Sequence, residues 1–281
     1  MSGKLYLVGT PIGNLGDISR RCAETLAAVD FIAAEDTRIS RKLLNYLDIH
    51  KNLVSYYEHN SRASGERILE RLLAGESCAL VTDAGMPAIS DPGEDLVRLC
   101  AEAGIEVVAV PGPSAAATAL ALSGLPTGRF TFEGFLSVTR KVRQEHLASL
   151  RGEKRTMIFY EAPHKLAQTL RDLCAAFGEE RPIALCREMT KLHEEVIRCT
   201  LGEAKERFGA GEARGEFVLV VAGAPEPDEA SGGEGALARA LELAASGLSA
   251  RDAVRQASEE FSVSRSALYR QFQQARQESE E

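Results

Sequence analysis

The sequence predicts an α/β fold: two α/β domains at 1–125 and 126–223, a linker at 224–235, and a small helical, helix-turn-helix-like domain at 236–281. Three observations predict it. Short apolar runs alternate with helical spacings through the first 125 residues, the pattern of a mostly parallel sheet covered by helices on both faces. After Pro126 the alternation loosens, and the last strand-like runs have an antiparallel character. The segment APEPDEASGGEG at 224–235 has no periodicity and is rich in Pro, Gly, Ser and acid, as linkers are.

The elements follow in order. Residues 4–8, 31–34, 53–56, 78–82 and 106–110 are apolar enough for strands of a buried sheet. Between them, Ile18, Cys22 and Leu26 recur every four residues, with Asp17 placed to cap that helix. Residues 40–47, 64–73 and 114–122 are further helices, and Leu96, Leu99, Cys100 and Ala103 mark another. In the second domain, strands are expected at 130–135, 156–160, 183–186, 196–199 and 217–221, with a helix spaced by Leu166, Leu170, Leu173 and Phe177. In the tail, Ala253, Val254, Ala257 and Phe261 line one helix face and Leu268, Phe272 and Ala275 a second, broken by SVS at 262–264. Ser249 and Asp252 form a capping pair before the first of these. Two helices joined by about three residues outline a helix-turn-helix, and equally a helical hairpin that only packs.

Composition excludes several classes. The chain is 44% apolar and 26% charged, an ordinary globular balance. No apolar run approaches the roughly 20 residues of a membrane helix. The opening MSGKLYLVGT is too short in apolar residues for a signal-peptide core, so the expected location is the cytoplasm, with no membrane partner. The six cysteines form no CxxC pair and sit among apolar neighbours, as buried thiols do. With a net charge of −8, any nucleic-acid contact must come from local patches. Two exist. Residues 139–155 hold Arg140, Lys141, Arg143, Arg151, Lys154 and Arg155 against Glu145 and Glu153; residues 264–277 hold Arg265, Arg270 and Arg276 and no acid.

The loops after the strands carry the chemistry. LVGTPIGNLGD (7–17) holds Gly9, Gly13 and Gly16, but Pro11 stands where a dinucleotide fingerprint needs glycine, and the Gly-Lys-Ser/Thr end of a Walker loop is absent. A backbone able to approach a ligand at the carboxyl edge of a sheet is what remains. AAEDTRISRK (33–42) sets Glu35, Asp36 and Arg38 on the same edge, where they orient a substrate or cap the next helix. In VTDAGMPAISDPG (81–93), Asp91 before Pro92 suits a helix start and needs no other role, whereas Asp83 with Gly85 beyond it suits contact with a polar organic cofactor. In VPGPSA, Ser114 is a helix N-cap by type.

Taken in order, GTPIGN, AEDTR, TDAGMPAISDPG, VPGPSA and FYEAPHK resemble the tetrapyrrole-methylase superfamily, and within it the bacterial branch that methylates a cytidine 2′-oxygen of 16S rRNA. The resemblance covers residues 4–222, and the acidic linker and helical tail match that branch's layout. It implies two α/β domains with S-adenosyl-L-methionine in the cleft between them, no metal, a homodimer, and the small ribosomal subunit as partner. It also implies cofactor contacts at Gly9, Ile12, Gly13, Asp83, Gly85, Met86, Ser114, Ala115 and Tyr160, with a weaker match at Arg187. Where tetrapyrrole enzymes read Gly-Asp-Pro, this chain reads Thr82-Asp83-Ala84, which points away from porphyrinoid substrates.

A ribose hydroxyl is a poor nucleophile at neutral pH, so a base within hydrogen-bond reach is expected. Glu35, Asp36, Glu58, His59, Glu161, His164 and Glu188 are the candidates, with Glu161 and His164 favoured because EAPHK ends a strand. His164 equally suits the start of a helix. For RNA, Arg38, Arg140, Lys141, Arg143, Lys165, Lys191, Arg265 and Arg270 supply the cations that phosphates need. Two other classes compete: a precorrin- or uroporphyrinogen-type tetrapyrrole C-methyltransferase, and a non-catalytic, ligand-sensing DNA-binding regulator. The tail's six arginines against seven acids weigh against the second.

Overall fold

The computed structural model describes residues 2–209, 213–225, 229–261 and 263–278. Residues 1–223 form one compact unit and 224–281 another.

The first sheet is five-stranded and parallel, in the order β3-β2-β4-β1-β5, from β1 (Lys4–Val8), β2 (Phe31–Ala34), β3 (Asn52–Ser55), β4 (Cys78–Val81) and β5 (Glu106–Val110). Its strands are short, the central β2 and β4 are buried throughout, and successive residues feed opposite cores. Phe31 and Ala33 face one cluster with Ile68, Leu72, Leu96 and Cys100, from α3 (Ser61–Leu73) and α4 (Glu94–Glu102). Ile32 and Ala34 face the other with Cys22, Leu26 and Leu44, from α1 (Arg20–Ala28) and α2 (Thr37–Tyr46). This period-two split is what a helix-covered parallel sheet requires.

The second sheet is mixed, in the order β6-β7-β10-β8-β9, from β6 (Phe130–Phe135), β7 (Thr156–Glu161), β8 (Pro182–Arg187), β9 (Glu195–Thr200) and β10 (Phe217–Val221). β6 and β7 run parallel; β10 is antiparallel to β7 and β8, and β9 to β8. One face packs on α6 (Arg140–Ser149), α7 (Leu166–Phe177) and α8 (Leu201–Gly209). The other face is covered by α5 (Ala115–Ser123), whose Ala119 and Leu120 join Ile158, Ala184, Cys186 and Val220. The helix expected to finish the first domain thus packs on the second sheet. Its sequence, AAATALALS, is small and apolar all round and suits burial.

The C-terminal unit holds α9 (Glu229–Ala245), α10 (Ala250–Phe261) and α11 (Arg265–Glu278) around Ala240, Leu243, Val254, Ala257, Leu268 and Phe272. Three helices stand where two were expected, because α9 begins inside the stretch assigned to the linker. Residues 226–228 of that stretch, and residue 262 of the SVS break, lie outside the described residues. Gly235 fits because a Cβ there would lie 2.9 Å from the Phe261 ring. Ser249 Oγ accepts from Asp252 N at 3.2 Å and caps α10.

Three capping expectations are corrected. Ser19, not Asp17, caps α1, accepting from Cys22 N at 3.1 Å. Gly93, at φ 147°, caps α4, and Asp91 does not. Ser114 holds the N-cap position of α5 but its side chain makes no cap bond.

Candidate functional site

The carboxyl edge of the first sheet and the edge of the second where β7 ends and β10 begins converge on a cavity of about 480 Å³. Its size is that of a small-molecule site, which spans roughly 300–1,000 Å³. The first sheet supplies Ile12, the segment Ala84 to Met86, Ile89, Ser90, Asp91, Ser114 and Ala115. The second supplies Phe135, Tyr160 to His164, Met189 and Glu216 to Val218.

The first-sheet wall is shaped by backbone. Thr10 and Gly85 exchange amide bonds at 2.9 and 3.1 Å, locking the β1 loop to the β4 loop. The Thr10 hydroxyl donates to the Thr82 carbonyl at 3.2 Å. Gly9 lies so close to Gly112 that a Cβ on it would fall 2.7 Å from the Gly112 backbone, and 2.7 Å from Met86 Sδ. Only glycine fits at either position. Beyond Gly85, Ala88 and Ser90 take φ of 68° and 59°, conformations that cost L-residues energy and persist where the surroundings impose them.

The second-sheet wall is shaped by side chains. Tyr160 stands edge-on to Phe132 and Phe135, with ring centroids 5.0 and 5.5 Å away. Its hydroxyl accepts from Ala116 N at 3.1 Å and keeps its own hydrogen for a ligand. Burial pushes that phenol's pKa up. Glu161 is buried with both oxygens engaged: one accepts from Ala162 N at 2.9 Å, the other from the Thr169 hydroxyl. Arg143 donates to Thr169 Oγ at 2.7 Å and to Asp172 at 2.6 Å.

Of the residues expected to touch cofactor, Ile12, Gly85, Met86, Ser114, Ala115 and Tyr160 line this cavity, and Gly9 supports its floor. Gly13 lies instead against Thr190 and Lys191. Asp83 is off the wall: its Oδ1 accepts from Asp36 N at 3.2 Å, and burial first, then Glu35, raises its pKa. Arg187 is turned away, its Nε donating to the Arg214 carbonyl at 2.7 Å and its guanidinium 3.5 Å from Glu195. Glu161 and His164 both line the cavity.

The expected RNA contacts divide likewise. Arg143 is 8% exposed and tied into the Glu161 network, so it is corrected from an RNA contact to a buried structural cation. Its spacing to Leu147, four residues on, is the sequence signal of a core-facing position. Arg140, Lys141 and Arg38 are exposed, although Arg38 is held two-pronged by Asp36, whose carboxyl it draws down to about 2. Lys191 bonds Glu188 and Glu216 at 2.9 and 3.0 Å. Lys165 is half-buried beside the cavity-lining His164. Arg265 and Arg270 line a second concavity, in the C-terminal unit, with Arg251, Ser264, Ser266 and Tyr269.

The residue missed was Asp91. It faces the cavity, half-buried, and its pKa is pushed up to about 6 by burial first, then by the Glu35 charge.

The family model for Tetrapyrrole (Corrin/Porphyrin) Methylases matches residues 4–205. The chain belongs to the tetrapyrrole methylase family. Among relatives, it is 50% identical over 268 residues to a Synechocystis protein named ribosomal RNA small subunit methyltransferase I, covering 95% of this chain and 96% of that one. A protein of the same name from Escherichia coli O157:H7 is 44% identical over 270 residues, covering 95% and 94%. Among solved structures, uroporphyrin-III-C-methyltransferase from Thermus thermophilus superposes with a TM-score of 0.56 at 22% identity, over 78% of this chain and 94% of that one, a likeness of fold. The Synechocystis and Escherichia coli proteins thus match this chain nearly end to end.

Proposed function

We propose that this chain is an S-adenosylmethionine-dependent methyltransferase that modifies the ribose 2′-oxygen of a cytidine in small-subunit rRNA. The observation that carries the reading is the end-to-end likeness to proteins named ribosomal RNA small subunit methyltransferase I, which includes the C-terminal helices.

The cavity suits the cofactor. Its wall of Ile12, Met86, Ala115, Phe135 and Val218 offers apolar faces to an adenine, and Tyr160 and Ser114 offer hydroxyls not spent on a cap or on donation. S-adenosylmethionine, when bound, would supply a methyl group on a positively charged sulfur, in a cavity that Phe135, Tyr160 and Asp91 line. The chain's own work is to fix the nucleophile in line at near contact distance and keep water out, which is worth several kcal/mol of barrier. Phe135 and Ile89, 59% and 54% exposed, stand at the mouth, where an RNA nucleotide would cover them.

RNA is held at two places. Arg140 and Lys141 on α6 serve one. The C-terminal concavity serves the other. Arg239 and Arg255 are paired with Glu242, Glu260, Asp252 and Glu259, whereas Arg265 and Arg270 have no acidic partner among the described residues and Arg251 makes no ion pair, its charge only adding to the field at Asp252. The tail's charges cancel in sum, but among the described residues Arg265 and Arg270 gather at one concavity apart from acids, which answers the compositional objection to nucleic-acid binding.

The chain acts in the cytoplasm as a homodimer, an association that would bury Phe130 on β6, Val142 on α6 and Val138 in the connection between them. The test of function is transfer from radiolabelled cofactor to small subunits lacking the modification, beside a uroporphyrinogen control. Label on one cytidine ribose is expected; label on the porphyrinoid alone contradicts the reading.

A further inference from the structure

Three carboxylates line the cavity: Glu161, Glu216 and Asp91. Two are already committed. Glu161 spends both oxygens on Ala162 N and Thr169, with Arg143 behind. Glu216 is ion-paired with Lys191. Asp91 differs. Among the described residues no backbone N–H, lysine or arginine is bonded to it. Its polar neighbours are Glu35, Asp83 and the Thr82 hydroxyl, with Tyr160 across the cavity. Thr82 has a single hydroxyl hydrogen and donates it to Glu35 at 2.6 Å. Glu35 thus competes with Asp91 for that one hydrogen, and among the described residues the Asp91 carboxylate has no donor of its own beyond this shared hydroxyl.

We propose that Asp91, the cavity carboxylate left free of ion pairs and backbone bonds, is the catalytic base of methyl transfer, taking the proton of the ribose hydroxyl. The inference rests on the methyltransferase reading above. In the step, the hydroxyl O–H bond breaks and its proton goes to Asp91. The oxygen's electron pair forms the new O–C bond, and the pair of the breaking C–S bond stays on sulfur. The proton later leaves to solvent through the open mouth. A carboxyl group titrating near pH 6 is mostly ionised at pH 7, yet far more basic than an exposed one, as a general base should be. The left-handed turns at Ala88 and Ser90 hold Asp91 on the wall, away from the helix start its sequence suggests.

The experiment has two arms on the full chain. First, carbon-13 NMR of aspartate carboxyls in the free protein should show one group titrating near pH 6, absent from Asp91→Asn. If every aspartate titrates below about pH 5, the proposal is overturned. Second, single-turnover transfer to small subunits by Asp91→Asn should fall by about a hundredfold or more, with S-adenosylmethionine affinity within about twofold of wild type. The acid limb of the pH–rate profile should be lost, while Asp91→Glu keeps the limb and part of the rate. A rate within about threefold of wild type, or a limb that survives in Asp91→Asn, overturns the proposal. A wild-type chain inactive on small subunits strikes the substrate reading, and the titration arm still decides whether the wall carries a base.

Discussion

The two sheets build one cavity by different means. The first sheet works through its backbone: Gly9 against Gly112, the Thr10–Gly85 bridge, and left-handed turns at Ala88 and Ser90. The second works through side chains: Tyr160 among Phe132 and Phe135, and a buried line from Arg143 through Thr169 to Glu161. The difference teaches where each half is fragile. Backbone-built walls fail when atoms are added, and side-chain walls when atoms are removed.

The largest effect should come from the side-chain half. Arg143→Ala leaves Asp172 uncompensated and Thr169 short of a donor, and should cost about 3 kcal/mol in chemical denaturation. The neighbouring Arg140→Ala should stay within about 0.5 kcal/mol of wild type. Equal effects for the two would break the contrast. In the backbone half, Gly112→Ala places a Cβ 2.7 Å from the Gly9 carbonyl oxygen, with no flexible side chain to yield. The cost should be about 1–3 kcal/mol in thermal unfolding, with weaker cofactor binding alongside.

Asp91 sharpens the comparison in the opposite sense, because its removal should stabilise. With a folded value near 6 against an ordinary 3.8, the folded chain binds the proton more tightly. Stability therefore falls as pH rises from about 4 to about 6. Asp91→Asn escapes that loss. It should exceed wild type by roughly 1 kcal/mol at pH 7, a figure discounted for partial exposure, and match it near pH 4 in parallel denaturant titrations. The smallest effect on the fold belongs to the C-terminal unit. Arg265→Ala with Arg270→Ala should leave the melting temperature unchanged and reduce the salt slope of RNA binding by about 2.

Much of this was legible in the sequence, and the misreadings are instructive. Period-two and helical spacings gave the strands and helices, because burial on a sheet forces them. Asp91-Pro92-Gly93 reads as a helix start on local grounds, but Gly93 takes the cap and the strained turn carries Asp91 to the cavity; only tertiary contacts set that choice. Arg143 reads as surface charge within its basic run, although Arg143, Leu147 and Leu150 recur at core spacing. Arg187 follows an apolar run, but which way it turns depends on the Arg214 carbonyl, 27 residues away. The start of α9 was hidden by its glycines, whose low helix propensity is outweighed by the packing of Ala236, Ala240 and Leu243.

The central claim is that the methyl donor sits in the cavity shared by the two sheets. Titration calorimetry of S-adenosylmethionine into the wild-type chain and into Ala115→Trp, checked for folding by its thermal melt, tests this most directly. One site per chain, lost when the indole fills the cavity and untouched by Arg265→Ala with Arg270→Ala, is the predicted result. Undiminished binding to a folded Ala115→Trp would contradict it.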